Sequence, residues 1–107
     1  MNVIKISDLE KMFHQAMFLI YERAKDECGY IATRFREMVE ENGGLEAAKK
    51  LLQKPLSEGF ISLWERGRVD LTMEALILQP KWKVLFTDEE LKIARIRLQD
   101  AGYTPPE

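Results

Sequence analysis

The segment Gly59–Leu91, GFISLWERGRVDLTMEALILQPKWKVLFTDEEL, decides the fold of this 107-residue chain. It holds both tryptophans, two of the five phenylalanines and the longest apolar run. Arg66, Arg68, Asp70 and Glu74 lie beside that apolar material. A globular fold buries much of such a segment, and buried charges need partners of opposite sign. We therefore predict that this segment contributes much of the core and that its charges are paired.

The composition is that of one folded domain. The chain has 16 basic and 18 acidic residues, a net charge of −2, and 46% of its residues are hydrophobic. This balance argues against disorder. We predict a single helical domain over residues 1–103 and a mobile tail over residues 104–107. The slight acidic excess argues against a duplex-binding domain, because such domains usually carry a basic excess.

The apolar stretches are too short to predict a membrane span, since charged residues follow Phe13–Tyr21 at once. Residues 1–6 lead into polar residues and do not have the pattern of a signal peptide. Cys28, the single cysteine, has no partner for an internal disulfide and no cysteine cluster for zinc, and we predict a small buried side chain. We therefore expect a cytoplasmic protein that does not contact the membrane and needs no cofactor.

Helical periodicity predicts an all-α bundle of five to seven short and medium helices. The spacings Ser7–Glu10 and Thr87–Glu90 are typical of capping boxes and predict helix starts. Glycine and proline positions predict most of the other helix ends. We expect the helices to pack around Phe60, Trp64 and the first helix. The predicted helices lie near residues 7–29, 30–42, 45–54, 57–67, 72–79, 80–86 and 87–101.

The four charges of the central segment have two interpretations. In the first, Arg66, Arg68, Asp70 and Glu74 belong to a structural ion-pair network, with Arg34 as a further partner, that joins the fourth and fifth helices. In the second, the two carboxylates form a pair for metal-dependent or acid–base catalysis. We favour the structural network, and we predict that the protein is not an enzyme.

His14 lies four residues after Glu10, so both side chains share a helix face and could bind a metal. The sequence shows no third ligand, and an ordinary histidine on the helix face is the better interpretation. The chain also has no Gly-rich phosphate loop, CxxC pair, Ser–His arrangement or HExxH motif. We therefore predict no metal site and no catalytic site.

A nucleic-acid-binding regulator is the alternative function. Two predicted helices joined at Gly43–Gly44 have the outline of a helix-turn-helix. The motif at residues 81–83 places an aromatic ring between two cations, as in single-strand binding sites. A plain helical hairpin and a core tryptophan with solvated lysines are the interpretations that we favour. The candidate nucleic-acid contacts are Lys49, Lys50, Lys81, Trp82 and Lys83.

The first helix carries more apolar side chains than one buried stripe needs, and Phe18 in particular lies off the main stripe. We therefore predict a surface for a protein partner or a homodimer on this helix. Its candidate residues are Met12, Phe13, Met17 and Phe18.

Three runs of sequence carry a resemblance: RFREMVEENGGLEAAKKLL (residues 34–52), GFISLWERGRVDLTMEALIL (59–78) and LFTDEELKIARIRL (85–98). From Ile20 to Leu98 the chain resembles a family of small, all-helical bacterial proteins of unknown function. The resemblance implies a cytoplasmic protein, and it links some members to mobile-element, nuclease or defence genes. It supplies no activity and marks Arg68–Glu74 as a shared segment. We predict a small bacterial interaction or accessory protein.

Overall fold

The computed structural model describes residues 5–105, and over this range it is an all-α bundle without strands. The prediction of the fold class is therefore confirmed. A 3-10 turn, Val69–Leu71, connects the fourth helix to the fifth. The α-helices of the described range are α1 (Ile6–Cys28), α2 (Thr33–Asn42), α3 (Gly44–Gln53), α4 (Glu58–Glu65), α5 (Met73–Ile77), α6 (Pro80–Lys83) and α7 (Asp88–Asp100).

Two predictions fall in part beyond that range. The tail predicted for residues 104–107 includes residues 106 and 107, and the argument about a signal peptide includes residues 1–4; these positions lie outside the described residues. Between residues 5 and 105, none of the helices combines the length and the apolar character that a membrane span requires.

The main core lies between α1 and the central segment of the chain. Phe13 and Met17 of α1 are fully buried there. The ring of Phe13 packs edge-on against Trp82 and Phe86, with ring centroids 5.4 and 5.5 Å away. Such aromatic contacts add to the free energy gained from apolar burial. α1 is therefore one of the helices on which the central segment packs.

Trp64 does not lie in the core, where the sequence predicted it. We expected it to be buried with Phe60, but Phe60 is 4% exposed and Trp64 is 53% exposed. α4 has only eight residues, and Phe60 and Leu63, one turn apart, form its buried face. Trp64 follows Leu63 directly, and a helix turns by about 100° per residue, which carries its side chain off that face. Trp82 is the tryptophan that the core uses.

One of the two predicted capping boxes is present. Thr87 Oγ1 accepts a hydrogen bond from the Glu90 N–H at 3.1 Å, and the Glu90 carboxylate accepts one from the Thr87 N–H at 2.8 Å. The box predicted at Ser7 is wrong, because α1 begins at Ile6 and Ser7 already lies inside the helix. Lys5 occupies the capping position, without a side-chain hydrogen bond.

α1 and α3 approach each other closely where Gly44 meets His14. A Cβ atom on residue 44 would lie only 2.6 Å from His14 Cα. The Gly44 N–H donates a 2.9 Å hydrogen bond to His14 Nδ1, and the imidazole packs edge-on against Phe18. His14 therefore joins two helices, a role that its spacing from Glu10 did not indicate.

We expect Gly44→Ala to lower the free energy of unfolding by about 1–3 kcal/mol, because the added methyl group would overlap the backbone of α1. Gly59→Ala in α4 is the matched control. The nearest atoms to its added Cβ are 3.7 Å away, so alanine fits and should leave stability unchanged or raise it by up to about 1 kcal/mol. Urea denaturation measures both variants. Equal unfolding midpoints would contradict the close approach of α1 to α3.

Candidate functional site

Glu74 is 4% exposed and is paired with Arg97. Its Oε2 atom accepts a hydrogen bond from Arg97 Nη1 at 3.0 Å. The same guanidinium donates to the backbone carbonyls of Leu51, Leu52 and Lys54 at the end of α3. The Leu51 carbonyl also accepts a hydrogen bond from the Lys54 N–H at 3.3 Å, and a cation suits the negative end of the helix dipole. The Glu74–Arg97 pair therefore joins α5, α7 and the end of α3.

Burial raises the pKa of Glu74, because the loss of water disfavours the charged carboxylate. Hydrogen bonds from its own backbone N–H and from Arg97 lower the pKa, but by less. The folded-state pKa thus lies above that of the unfolded chain. The contribution of this group to stability is therefore fully present below its unfolded pKa and is lost as the pH rises through its folded pKa.

The partner of Glu74 is not one that the sequence suggested. We expected Glu74 to pair with Arg66 or Arg68, which lie near it in the sequence, or with Arg34, which lies on α2. Arg97 lies 23 residues further along the chain, on α7. No local spacing connects the two positions, so only the packing of α5 on α7 reveals the pair.

Arg68 and Asp70 form a separate, exposed cluster with α1. Arg68 donates to Asp70 at 3.0 and 3.1 Å and to Glu27 at 2.7 Å. Glu27 also accepts a 2.7 Å hydrogen bond from Arg23, one turn earlier on α1. The hydrogen bonds from Arg23 and then Arg68 lower the pKa of Glu27 to about 2. The cluster joins the 3-10 turn to α1, and exposed pairs of this kind add little to stability.

The sequence offered two pairs of candidate metal ligands, Asp70 with Glu74 and Glu10 with His14. Neither is assembled as a pair of ligands. Asp70 is exposed and bound to Arg68, whereas Glu74 is buried against Arg97, so the two carboxylates have different surroundings and partners. His14 uses its Nδ1 atom for the Gly44 N–H. Within residues 5–105, no group of three or more His, Cys, Asp or Glu side chains is placed to hold a metal ion.

A cleft of about 570 Å³ opens between α1, α2 and α4, and Glu74 and Arg97 line part of it. Three exposed charged residues, Arg34, Lys54 and Glu58, also line it. Its volume lies within the range of about 300–1,000 Å³ that is common for small-molecule sites. Sequence patterns did not predict the cleft, because its lining comes from separate elements of the chain. Its apolar lining includes Ile20, Ala24, Phe35, Met38, Phe60 and Leu63.

The outer face of α4 presents two large apolar side chains, Ile61 and Trp64, which we call the α4 face. Ile61 is 40% exposed and lies one helical turn before Trp64. Neither residue lines the cleft. Arg66 follows in the chain, and its guanidinium lies over the ring of Tyr30 at 5.0 Å, outside the predicted ion-pair network. The α4 face is thus an exposed apolar surface.

The partner surface predicted on α1 is mostly buried. Phe13 and Met17 are fully buried, and Phe18 is half-buried against the core and His14. Of the four predicted residues, only Met12 is exposed. α1 packs against α2, α3 and the 3-10 turn. These several contacts account for the buried apolar side chains of α1, whereas Ile6, Met12 and Leu19 of the same helix are exposed.

At residues 81–83 the favoured interpretation, a core tryptophan with solvated lysines, is confirmed, and the alternative of a stacking site does not fit the burial of Trp82. Trp82 is 5% exposed, and its ring packs edge-on against Phe13 in the core. The Lys81 ammonium lies over the indole at 4.9 Å. A nucleic-acid base therefore cannot stack on this ring without unpacking it. Lys81 and Lys83 are exposed on either side of a buried side chain.

Lys49 and Lys50, in the second helix of the hairpin at Gly43–Gly44, contact other side chains of the protein. Lys49 Nζ forms a 2.7 Å ion pair with Glu90, the residue of the capping box on α7. Burial raises the pKa of Glu90. The hydrogen bonds from Lys49 and Thr87 and the positive charge of Lys49 lower it by more, so the pKa lies below its ordinary value. Lys50 donates a 2.7 Å hydrogen bond to Asn42. These contacts hold the hairpin to itself and to α7.

Comparison of the chain with protein-family models, with curated protein sequences and with solved structures gave no significant match. The resemblance to small bacterial proteins therefore stays a prediction.

Proposed function

We propose that this chain is a small cytoplasmic interaction protein that binds a protein partner through the α4 face and has no catalytic activity of its own. The exposure of Trp64 is the observation that supports the proposal. Phe13, Phe60, Phe86 and Trp82 are all buried, so the fold has room for aromatic rings, yet Trp64 faces water. Tryptophan is strongly enriched among the residues that dominate protein–protein binding energy.

The size of the α4 face favours a transient partner over a stable homodimer. An eight-residue helix is about 12 Å long. A stable interface of standard size buries about 800 Å² on each side, far more than Ile61 and Trp64 provide. The small area indicates weak binding, and we propose a different protein as the partner, with a pocket that receives the Trp64 ring.

The resemblance described above extends this proposal. It suggests a bacterial origin and a role beside mobile-element, nuclease or defence genes, and therefore partners encoded near the gene of this protein. The Arg68–Glu74 segment, which the resemblance marks as shared, contains Asp70 of the exposed cluster and Glu74 of the buried pair. Its charges have structural partners, which is consistent with a binding protein whose charged residues hold its helices together.

The experiment that tests the proposal places a photo-cross-linking amino acid at position 64, with position 89 as the control. Glu89 is exposed at the start of α7, a different helix from α4. In the native host we expect one discrete adduct from position 64 and none from position 89. The captured protein, once purified, should bind the wild-type chain and should lose about tenfold or more in affinity for Trp64→Ser.

Two outcomes would contradict the proposal. An adduct with the mass of two copies of this chain would show that position 64 contacts a second copy and not a different protein. Equal affinity of the captured protein for the wild type and for Trp64→Ser would show that the α4 face is not the binding surface. Circular dichroism of Trp64→Ser controls for folding.

A further inference from the structure

The cleft has a chemical pattern of its own and is separate from the α4 face. Most of its wall is apolar and comes from three helices, with Ile20 of α1, Phe35 of α2 and Phe60 of α4 as examples. A ligand that fills this wall must have an apolar body, because a polar one would lose its hydration without gaining hydrogen bonds. The volume of about 570 Å³ suits a small molecule.

The charge on the exposed part of the cleft is positive. Arg34 and Lys54 are exposed, and neither lies within 4.0 Å of a carboxylate oxygen of residues 5–105. Glu58 is the acidic residue among the exposed lining positions. Glu74 and Arg97 are paired and balance each other. Two cations against one acid favour an anionic group on the ligand.

The helix ends around the cleft add to this field. Residues 32–35 at the start of α2 and residues 57–60 at the start of α4 line it, and helix starts carry partial positive charge. The end of α3, with the opposite sign, also lies here, but Arg97 already binds its carbonyls. The backbone therefore reinforces the positive side chains.

We propose that the cleft binds a small amphiphile with an aliphatic body and a carboxylate head group. The aliphatic body lies against the apolar wall, and the carboxylate lies at the exposed part of the cleft that Arg34 and Lys54 line. Arg34 supplies planar, charge-assisted hydrogen bonds to such a head group, and Lys54 supplies a second cation. This binding activity does not depend on the partner proposed for the α4 face.

Isothermal titration calorimetry with sodium decanoate, kept below its micelle-forming concentration, tests the proposal. We expect one binding site, and an affinity that rises by about fourfold for each methylene between hexanoate and decanoate, because the chain leaves water. Decyltrimethylammonium, with the same chain and a cationic head, should bind at least about tenfold more weakly. Absence of decanoate binding, equal affinity for the two head groups, or no dependence on chain length would overturn the proposal.

Paired charge reversals locate the site. Arg34→Glu should lower the affinity for decanoate by about tenfold, because it places a negative charge beside the head group. Arg95→Glu makes the same change of net charge on an exposed position of α7 outside the cleft, and should leave the affinity unchanged. Equal losses in the two variants would show a non-specific charge effect and would overturn the assignment.

Trp64→Ser separates this inference from the proposed function. Trp64 does not line the cleft, so decanoate should bind this variant as it binds the wild type. Loss of decanoate binding in a folded Trp64→Ser variant would contradict the separation of the two surfaces. Retained decanoate binding, together with the loss of the captured partner, would support both assignments.

Discussion

Arg97→Ala should lower the free energy of unfolding by about 3–5 kcal/mol, the size of loss seen when one member of a buried ion pair is removed. The substitution leaves the Glu74 carboxylate buried without its guanidinium. It also removes the guanidinium donor from the carbonyls of Leu51, Leu52 and Lys54 at the end of α3. Guanidinium chloride denaturation measures the loss.

Arg95→Ala on the same helix is the matched control. Arg95 is exposed and forms no ion pair with any residue in the described range 5–105. A surface substitution of this kind changes stability by about 0.5 kcal/mol or less. A similar small effect of Arg97→Ala would show that the Glu74–Arg97 pair does not hold the helices together.

The pH dependence of Arg97→Ala gives a second readout. Burial already raises the pKa of Glu74, and loss of Arg97 removes an interaction that lowers it. In the variant the folded state therefore binds a proton still more readily, and stability falls as the pH rises through the folded pKa of Glu74. The difference in stability between the variant and the wild type should be smallest in acid, where Glu74 is protonated.

Truncation of the two tryptophans should lower stability by very different amounts. Trp82→Ala should cost about 3–5 kcal/mol, because it removes a buried indole from its edge-on contact with Phe13 and leaves a cavity. Trp64→Ala should cost less than about 1 kcal/mol, because more than half of that side chain is already in water. Thermal unfolding followed by circular dichroism measures both variants.

Equal losses for the two tryptophan variants would contradict the assignment of Trp82 to the core and Trp64 to the surface. A larger loss for Trp64→Ala would also remove the physical support for the α4 face, since a tryptophan needed for folding is not free for a partner.

The sequence predicted the features that depend on neighbouring residues. The capping box at Thr87 needs only Thr87 and Glu90, three positions apart, and it was predicted correctly. The start of α4 after Ser57 likewise follows from a local hydrogen bond, which the Phe60 N–H donates to the serine side chain. Helical periodicity was sufficient for the fold class because almost every apolar run follows it.

The features that the sequence missed depend on how helices meet. Arg97 reaches Glu74 only because α7 packs on α5, and Gly44 is needed only because His14 approaches it from α1. Trp64 illustrates the same limit, since composition favours a buried tryptophan but an eight-residue helix has a narrow buried face. The cleft combines lining residues from several elements, and no spacing along the chain relates them.

A double-mutant cycle on Glu74→Leu and Arg97→Met most directly tests the view that the charges of the central segment serve to join helices. If the pair is the joint between α5, α7 and the end of α3, the double variant should be more stable than the sum of the two single losses predicts, by about 1–3 kcal/mol. Losses that add to within about 0.5 kcal/mol would mean that the two side chains act independently, and would contradict the account.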